Sequence, residues 1–563
     1  MPSARPRPRR EPRSVARAAK SGWPIRFVPI ASGDRTATGA VPVLVSSVTD
    51  AGAVLVETYG DLVAAEDVLL FVNAAITGTG QREFHSGAAE QQLSLDFLHE
   101  YMLVNYRGPY AAALALDIND HNSALIVRRL LETSRDATDE QRRTEGRLIA
   151  RRLRLLPPQR VYRLIGELRR AKVNNRRTRA ILRDWLAARP DQALDAVKYR
   201  AGLKLALRHT HLRPVAEETG DFLYAPRRRP RYTAPLLDAW RRAHFQQGAL
   251  YELPYTVAEG FANRHGIPRA AFLQKIEPRL TGLERLRLQE SARTLGATAV
   301  TADATALARM PLTRLASYVL GLPPAARTAR RAELTDALRG AARRAVRAAG
   351  AEEGGWGRVT AVLDDSWSAY GSGVKRRRPL AAALACHFLL AALAGEYTAL
   401  WTSGHGDALL ARPSGPTPLG RRILDALDTA PERLVIVSDG WDNAPPGLAA
   451  EVLRVWRTRL DPEHRTSIVH LNPVYDAEGF DVRRLAPTVP TAGLRDAEDL
   501  PALVEFARFA EGRTDLAELT AHLAARTERF LAGDGAVRVP VAPAADPIAE
   551  TTETTESAEE TVR

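Results

Sequence analysis

"AVLDDSWSAYGSG", residues 361–373, carries the reading that decides the fold. An apolar run stops abruptly in two aspartates, and a serine, a tryptophan, a second serine and a small-residue loop follow. Three more short apolar runs come after it: "YTALWTSG" (397–404), "RLVIVSDG" (433–440) and "SIVHLNP" (467–473). Helical segments such as "GLAAEVLRVWRTRL" (447–460) separate them. Strands buried on both faces have this continuous apolar texture, and their alternation with helices predicts a doubly wound, mainly parallel sheet. Ligand sites in such sheets lie outside the carboxyl ends of the strands. That is where "VLDDSWS" and "VIVSDG" put their acids.

The chain has 563 residues, enough for two or more domains with cores of their own. Hydrophobic residues make up 45% and charged residues 26%, the balance of a soluble globular protein. The single cysteine, Cys386, excludes an intrachain disulfide framework and fits a reducing compartment, so a cytoplasmic location is expected. The opening "MPSARPRPRREPRSVARAAK" has basic residues but no apolar core after them, so it does not read as a signal peptide. "PLAAALACHFLLAALAG" (379–395) is short for a bilayer span and carries His387; it reads as a buried helix, and no membrane partner is expected. Net charge is +13, carried largely by arginine. Clustered cations collect phosphate and displace its counterions, so nucleic acid is the partner this charge suggests.

Composition divides the chain. Residues 1–22 are a Pro/Arg arm without core-forming residues, and 23–60 hold short β-like runs such as "VPVLVSS". Residues 61–350 are helical almost throughout. In "RVYRLIGELRR" (160–170), Val161, Leu164, Ile165 and Leu168 form one stripe of a helix; Pro157 and Pro158 end the helix before it, and "VNN" (173–175) marks the turn after it. Further helical pieces at "PLLDAWRRAHFQQGA", "LERLRLQESARTLG" and "LTRLASYVLGL" make a stacked helical-repeat, HEAT-like array without a strict period. Residues 355–535 are the α/β region, and 536–563 are an acidic, Ser/Thr-rich tail.

Asp364, Ser366 and Ser368 make a D-x-S-x-S pattern, and Thr417 in "SGPTPLG" and Asp439 in "VIVSDG" supply two further oxygens. Carboxylate and hydroxyl oxygens suit a hard divalent cation. Together the five resemble the metal-ion-dependent adhesion site of von Willebrand factor A domains. The resemblance implies that they hold Mg²⁺ or Mn²⁺ directly or through water, with an open position for an acidic group of a partner protein. Two residues depart from the family pattern: Trp367 stands where a small residue is usual, and Asp365 adds a second carboxylate. Asp442 either joins the site or caps the following helix.

The helical region resembles the TROVE domain of the Ro ribonucleoprotein family in "VKYRAGLKLALRHTHLRP" (197–214), "ARMPLTRLASYVLGL" (308–322) and, more loosely, "NNRRTRAILRDWL" (174–186). TROVE repeats followed by a von Willebrand A domain is the Ro order, so the resemblance spans roughly residues 61–535. It implies a closed ring of helical repeats bridged by the α/β domain. It also implies binding of small noncoding, Y-type RNAs outside the ring and of single-stranded RNA ends in its hole. A nuclease or another protein with an acidic ligand group is the expected protein partner, and the chain is expected to be monomeric. The family's segment is longer than "RAGLKLAL" here and carries a histidine after a Gly-Trp-Ser-type turn, which this chain lacks.

The candidate RNA contacts cluster in two segments. "ELRRAKVNNRRTRAILRDWL" supplies Arg169, Arg170, Lys172, Arg176, Arg177 and Arg179; "KYRAGLKLALRHTHLR" supplies Lys198, Arg200, Lys204, Arg208, His209, His211 and Arg213. Arginine forks grip phosphates bidentately, and helix N-termini add backbone donors. "YAPRRRPRY" (224–232) reads as a basic loop whose tyrosines could stack on bases, or as a solvated linker. His85 and His405 have no partners at ligand spacing and read as uninvolved in metal binding. No catalytic triad, cysteine nucleophile or paired catalytic acids can be assembled, and no catalytic residue is expected. The reading is a noncatalytic RNA-binding protein; the alternative is a protein-assembly module whose metal site binds an acidic partner.

Overall fold

The structure is a computed structural model that describes residues 59–226, 229–281, 284, 285, 288, 304–500 and 516–533. The basic arm 1–22, residues 23–58 of the β-like segment 23–60, most of "LERLRLQESARTLG" and the acidic tail 536–563 lie outside the described residues; the segment's last two, Tyr59 and Gly60, are helical.

Two helices open the described chain: α1, Tyr59–Thr77, and α2, Ala88–Asn105. Then come α3 (Arg107–Ala112), α4 (Asp120–Glu132), α5 (Asp139–Leu155), α6 (Pro158–Arg170) and α7 (Arg176–Ala187). Next are α8 (Gln192–Lys198), α9 (Arg200–Thr210), α10 (Glu217–Tyr224), α11 (Pro235–Ala243), α12 (Tyr255–Arg264) and α13 (Arg269–Ile276). Local chemistry sets their ends. Asn119, Asn175 and Asp191 accept from the backbone N–H of Asn122, Thr178 and Leu194, and Thr138 with Gln141 forms a capping box. Proline opens α6, where a missing N–H costs nothing. The stripe Val161, Leu164, Ile165 and Leu168 is buried as its spacing predicts.

The five-stranded sheet is parallel throughout, in the order β2-β1-β3-β4-β7, with β1 Arg358–Leu363, β2 Glu396–Trp401, β3 Arg433–Val437, β4 Ser467–Asn472 and β7 Thr491–Gly493. A small antiparallel ladder pairs β5 (Tyr475–Asp476) with β6 (Asp481–Val482). Side-chain alternation divides the strands between two cores. Val359, Ala361, Leu363, Val435, Val437, Val469 and Leu471 join the large core that continues into the helical array. Val362, Leu434, Ile436 and Ile468 face a smaller core with the helices Leu419–Leu427 and Leu448–Val455.

"PLAAALACHFLLAALAG" is a helix, Arg378–Leu393, buried along most of its length. It needs apolar residues on every side because it is wedged between the sheet and the helices Leu312–Gly321 and Arg331–Ala348. Among the described residues, no helix is long and apolar enough to cross a membrane.

Both ends of the helical array meet the same strip of chain. Asn73 of α1 accepts the Gly493 N–H at 2.9 Å through its side-chain oxygen. Five residues on, the Glu498 carboxylate accepts from the Thr313 N–H and hydroxyl at 3.2 and 2.6 Å, and Ala497 N–H donates to Thr313 Oγ1 at 2.7 Å. Between them, Arg495 donates to the Ile118 carbonyl at 3.0 Å. The α/β layer thus holds α1 and the helix Leu312–Gly321, an early and a late helix of the array, together. The array's own course from α13 to Ala304 passes through residues that are mostly undescribed. The last helix, Leu516–Ala532, packs against α1, α3 and α5.

Asn73→Ala should therefore destabilise the chain by about 1–3 kcal/mol, since it leaves a buried strand N–H without its acceptor. Urea unfolding of the variant and the parent measures it.

Candidate metal loop and basic face

Strand order places the first site. Chain connections run in opposite directions from β1 and β3, neighbours in the centre of the sheet, so a crevice opens at their carboxyl ends. Asp364 follows β1 directly, and Asp439 follows β3 with one residue between. They line one small cavity with Val437, Ser438, Ala369, Pro379 and Pro473. Asp364 Oδ1 accepts from the Ser366 N–H at 2.9 Å and Oδ2 from the Ser438 hydroxyl at 2.8 Å. The Ser366 and Ser368 hydroxyls stand 3.1 Å apart. Thr417 is buried and placed through its backbone: its N–H donates to Asn443 Oδ1 at 2.8 Å, and its carbonyl accepts from Asn443 N–H at 3.3 Å.

The two departures are accommodated outside this cavity. Asp365 is tied to the end of β2: its Oδ1 accepts from the Thr402 hydroxyl at 2.8 Å and the Ser403 N–H at 2.9 Å. Its Oδ2 accepts from the Ser403 hydroxyl at 2.7 Å, and His405 Nε2 lies 3.0 Å away. Trp367 is 64% exposed, and its backbone N–H, donating to the Gly415 carbonyl at 3.1 Å, fastens the Thr417 loop alongside. Of the adjacent acids, one faces the cavity and the other clamps the neighbouring strand. Asp442 Oδ2 accepts the Ala449 N–H at 2.7 Å, so it caps the following helix.

Electrostatics describe what this arrangement wants. Burial, and after it the neighbouring Asp439, hold the Asp364 carboxyl above the usual carboxylate range. Asp439 Oδ1 accepts from the Trp441 N–H at 3.1 Å, but Oδ2 is buried without a hydrogen-bond partner. Two buried acids with one orphaned oxygen are an arrangement that positive charge would stabilise. The remaining donors are hydroxyls, which suit Mg²⁺ or Mn²⁺. Among the described residues, no three His, Cys, Asp or Glu side chains stand together at metal-holding spacing, so a cation would need the serine and threonine oxygens or water.

The second site is the set of cations on α6 to α9 and the turns beside them. Arg169, Arg170, Lys172, Arg176, Arg208, His211 and Arg213 are exposed. Arg179, Lys198 and Lys204 are half-buried. Three residues of this set are drawn into the fold. Arg177 donates to Ser134 Oγ at 2.9 Å and the Arg142 carbonyl at 2.8 Å, and pairs with the buried Glu145 at 3.5 Å. Arg200 donates to the Phe222 carbonyl at 2.9 Å and lies over the Phe222 and Trp240 rings. His209 is buried, and burial lowers its pKa; a Val173 backbone hydrogen bond opposes this, and the charges of Arg169, His211 and Arg179 add to it. That these cations act on His209 shows that the ends of α6 and α9 and the start of α7 meet at one corner.

The tyrosines of "YAPRRRPRY" divide. Tyr232 is buried and donates to the Pro226 carbonyl at 2.9 Å. Tyr224 is 43% exposed, with Lys204 Nζ 5.6 Å and the Arg208 guanidinium 5.4 Å from its ring centre. Arg227 and Arg228 lie outside the described residues.

Sequence reading missed Ser438, Thr402, Ser403 and Asn443, which orient the loop carboxylates and Thr417. His85, which the sequence reading set aside for want of partners at ligand spacing, has its Nε2 3.6 Å from Asp439 Oδ2. Ser438 stands beside Asp439 inside a quoted motif and was the legible one; His85 lies too far away in the chain to be found by spacing.

Among solved structures, the chain is similar to the crystal structure of the Deinococcus radiodurans RO (RSR) protein, at 15% identity and a TM-score of 0.48, over 80% of this chain and 100% of that one. No family model and no curated protein matches the chain.

Arg177→Ala should cost about 1–3 kcal/mol, because the buried Glu145 loses a cation and Ser134 a donor. Arg176→Ala should leave the unfolding midpoint unchanged. Paired denaturation curves separate the arginine that holds the fold from the one that does not.

Proposed function

We propose that this chain is a noncatalytic RNA-binding protein of the Ro kind. It would hold small noncoding, Y-like RNAs and the single-stranded ends of structured or misfolded RNAs, as a scaffold for RNA quality control or decay. The observation that carries the reading is the corner at α6, α7 and α9. Arg169, Arg179 and His211 meet around His209 there, and on the same α9 Lys204 and Arg208 lie over the exposed ring of Tyr224. Phosphates take the cations and an unstacked base takes the ring, a pairing suited to single strands. Two of the three TROVE-like segments, 174–186 and 197–214, fall largely on α7 and α9.

Two measurements test it. A duplex with a single-stranded 3′ tail should outcompete the same duplex with blunt ends in a filter-binding competition; equal competition would reduce the proposal to a general basic surface. In fluorescence anisotropy with a single-stranded oligonucleotide, Tyr224→Ala should weaken binding by about 1–3 kcal/mol without altering its salt dependence. Lys204→Ala with Arg208→Ala should instead flatten the slope of log affinity against log salt by about 1.4, roughly 0.7 for each phosphate no longer neutralised.

A second reading rests on the metal loop. Asp364, Ser366, Ser368, Thr417 and Asp439 would hold one Mg²⁺ or Mn²⁺, and the cation would supply an attachment point for an acidic group of a partner, a nuclease or another protein. The orphaned Asp439 Oδ2 favours it. Isothermal titration with Mn²⁺ should show one site in the parent and none at comparable concentration in Asp364→Ala. A parent that takes up no metal at millimolar concentration sinks this reading and leaves RNA binding standing.

A further inference from the structure

Among the residues outside the sequence-read sites, His85 stands out. It belongs to the loop between α1 and α2, far from the sheet in sequence, yet it reaches the β3 end of the crevice. We propose that a divalent cation bound at Asp364 and Asp439 takes the His85 imidazole as a further ligand, so that metal binding fastens the first helices of the array onto the α/β domain. The inference rests on the metal-loop reading and adds to it a ligand from outside the five-residue motif.

Three observations carry it. First, the His85 Nε2–Asp439 Oδ2 separation is 3.6 Å, too long for a hydrogen bond, and that oxygen is buried without any such partner. Neighbouring ligands on one ion, each bonded at about 2.1 Å, stand about 3–3.5 Å apart, so little movement would bring both onto a shared cation. Second, the imidazole is held in place. Its ring stacks on Trp441, with centroids 4.4 Å apart and planes 29° apart, and the Arg483 guanidinium lies 3.8 Å from the Trp441 ring centre. The Trp441 N–H also donates to Asp439 Oδ1, so one residue orients both proposed ligands.

Third, the loop is anchored on both sides of His85. Asn119 and Asn122 side-chain amides donate to the Gly78 carbonyl at 2.6 and 2.8 Å, and Gln91 donates to the Tyr475 carbonyl at 3.0 Å. Two residues before His85, Glu83 forms an ion pair with Lys375, and both side chains are buried. Burial pulls the Lys375 ammonium down to about 8, with Glu83 opposing the shift. A buried ion pair is costly to assemble and more costly to break, so this contact fixes where the loop sits. Glu83 and Lys375 thereby bring the imidazole to the end of β3.

An imidazole nitrogen among oxygens should tilt the site from Mg²⁺ towards Mn²⁺. Pulsed electron paramagnetic resonance of the Mn²⁺-loaded full chain tests for nitrogen bonded to the metal. The parent should show the coupling, and His85→Gln should lose it while still taking up Mn²⁺, at least about tenfold more weakly. Hydrogen exchange of residues 78–87 should slow on Mn²⁺ addition in the parent and not in the variant. Bound Mn²⁺ without nitrogen coupling, or coupling that survives His85→Gln, overturns the role of His85 and leaves the metal loop intact. No Mn²⁺ uptake by the parent overturns both.

Discussion

The strip from Thr491 to Asp499 is the constraint on which the rest depends. It is the edge strand of the sheet, and it is also where α1 and the helix Leu312–Gly321 are hydrogen-bonded to the α/β domain. A strand edge presents unpaired N–H and C=O groups that must find partners when buried. Here Asn73 supplies an acceptor for Gly493, and Glu498 supplies one for the opening of the helix that begins at Leu312. Gly493 has no side chain to intervene, and a Cβ there would come within 2.9 Å of the Asn73 carbonyl. Apolar contact alone would let helices slide along a sheet. These directional contacts fix one register for both ends of the array.

That register decides which surfaces are available. One face of the sheet is continuous with the core of the helical array, and the opposite face has its own pair of helices. Both faces are used up in packing, so the strand ends are where polar chemistry has room. The β1 and β3 ends fall side by side at the centre of the sheet, and Asp364 and Asp439 share the crevice for that reason. The other site is likewise a by-product of packing. The buried stripes of α6, α7 and α9 leave the remaining positions of these helices to solvent, and those positions carry the cations.

Much of this was legible in the sequence because its signals were local. Apolar runs marked β1, β3 and β4, prolines marked the start of α6, and acids at strand ends marked the crevice. What escaped was the sorting of like residues by distant partners. Arg176 and Arg177 are adjacent and chemically identical, but only Arg177 turns towards Glu145, a residue 32 positions away. Asp364 and Asp365 are equally alike, and Ser403, which bonds Asp365 and not Asp364, decides which of them leaves the cavity. His85 offered no spacing to read because its partners lie on a strand end and a loop in the C-terminal half of the chain.

The two acid–base contacts of the α1–α2 loop differ in kind, and the difference has mechanical meaning. Glu83 and Lys375 neutralise one another and are nearly sealed from water. Separating them would strand a charge in the interior, so this contact resists opening. His85 is one-third exposed, and its carboxylate neighbour keeps an oxygen unpaired. It can therefore change partners at little cost to the core. A firm contact thus stands beside an adjustable one in the same loop. The firm contact keeps the loop against the sheet, and the adjustable one lies over the crevice where Asp364 and Asp439 meet.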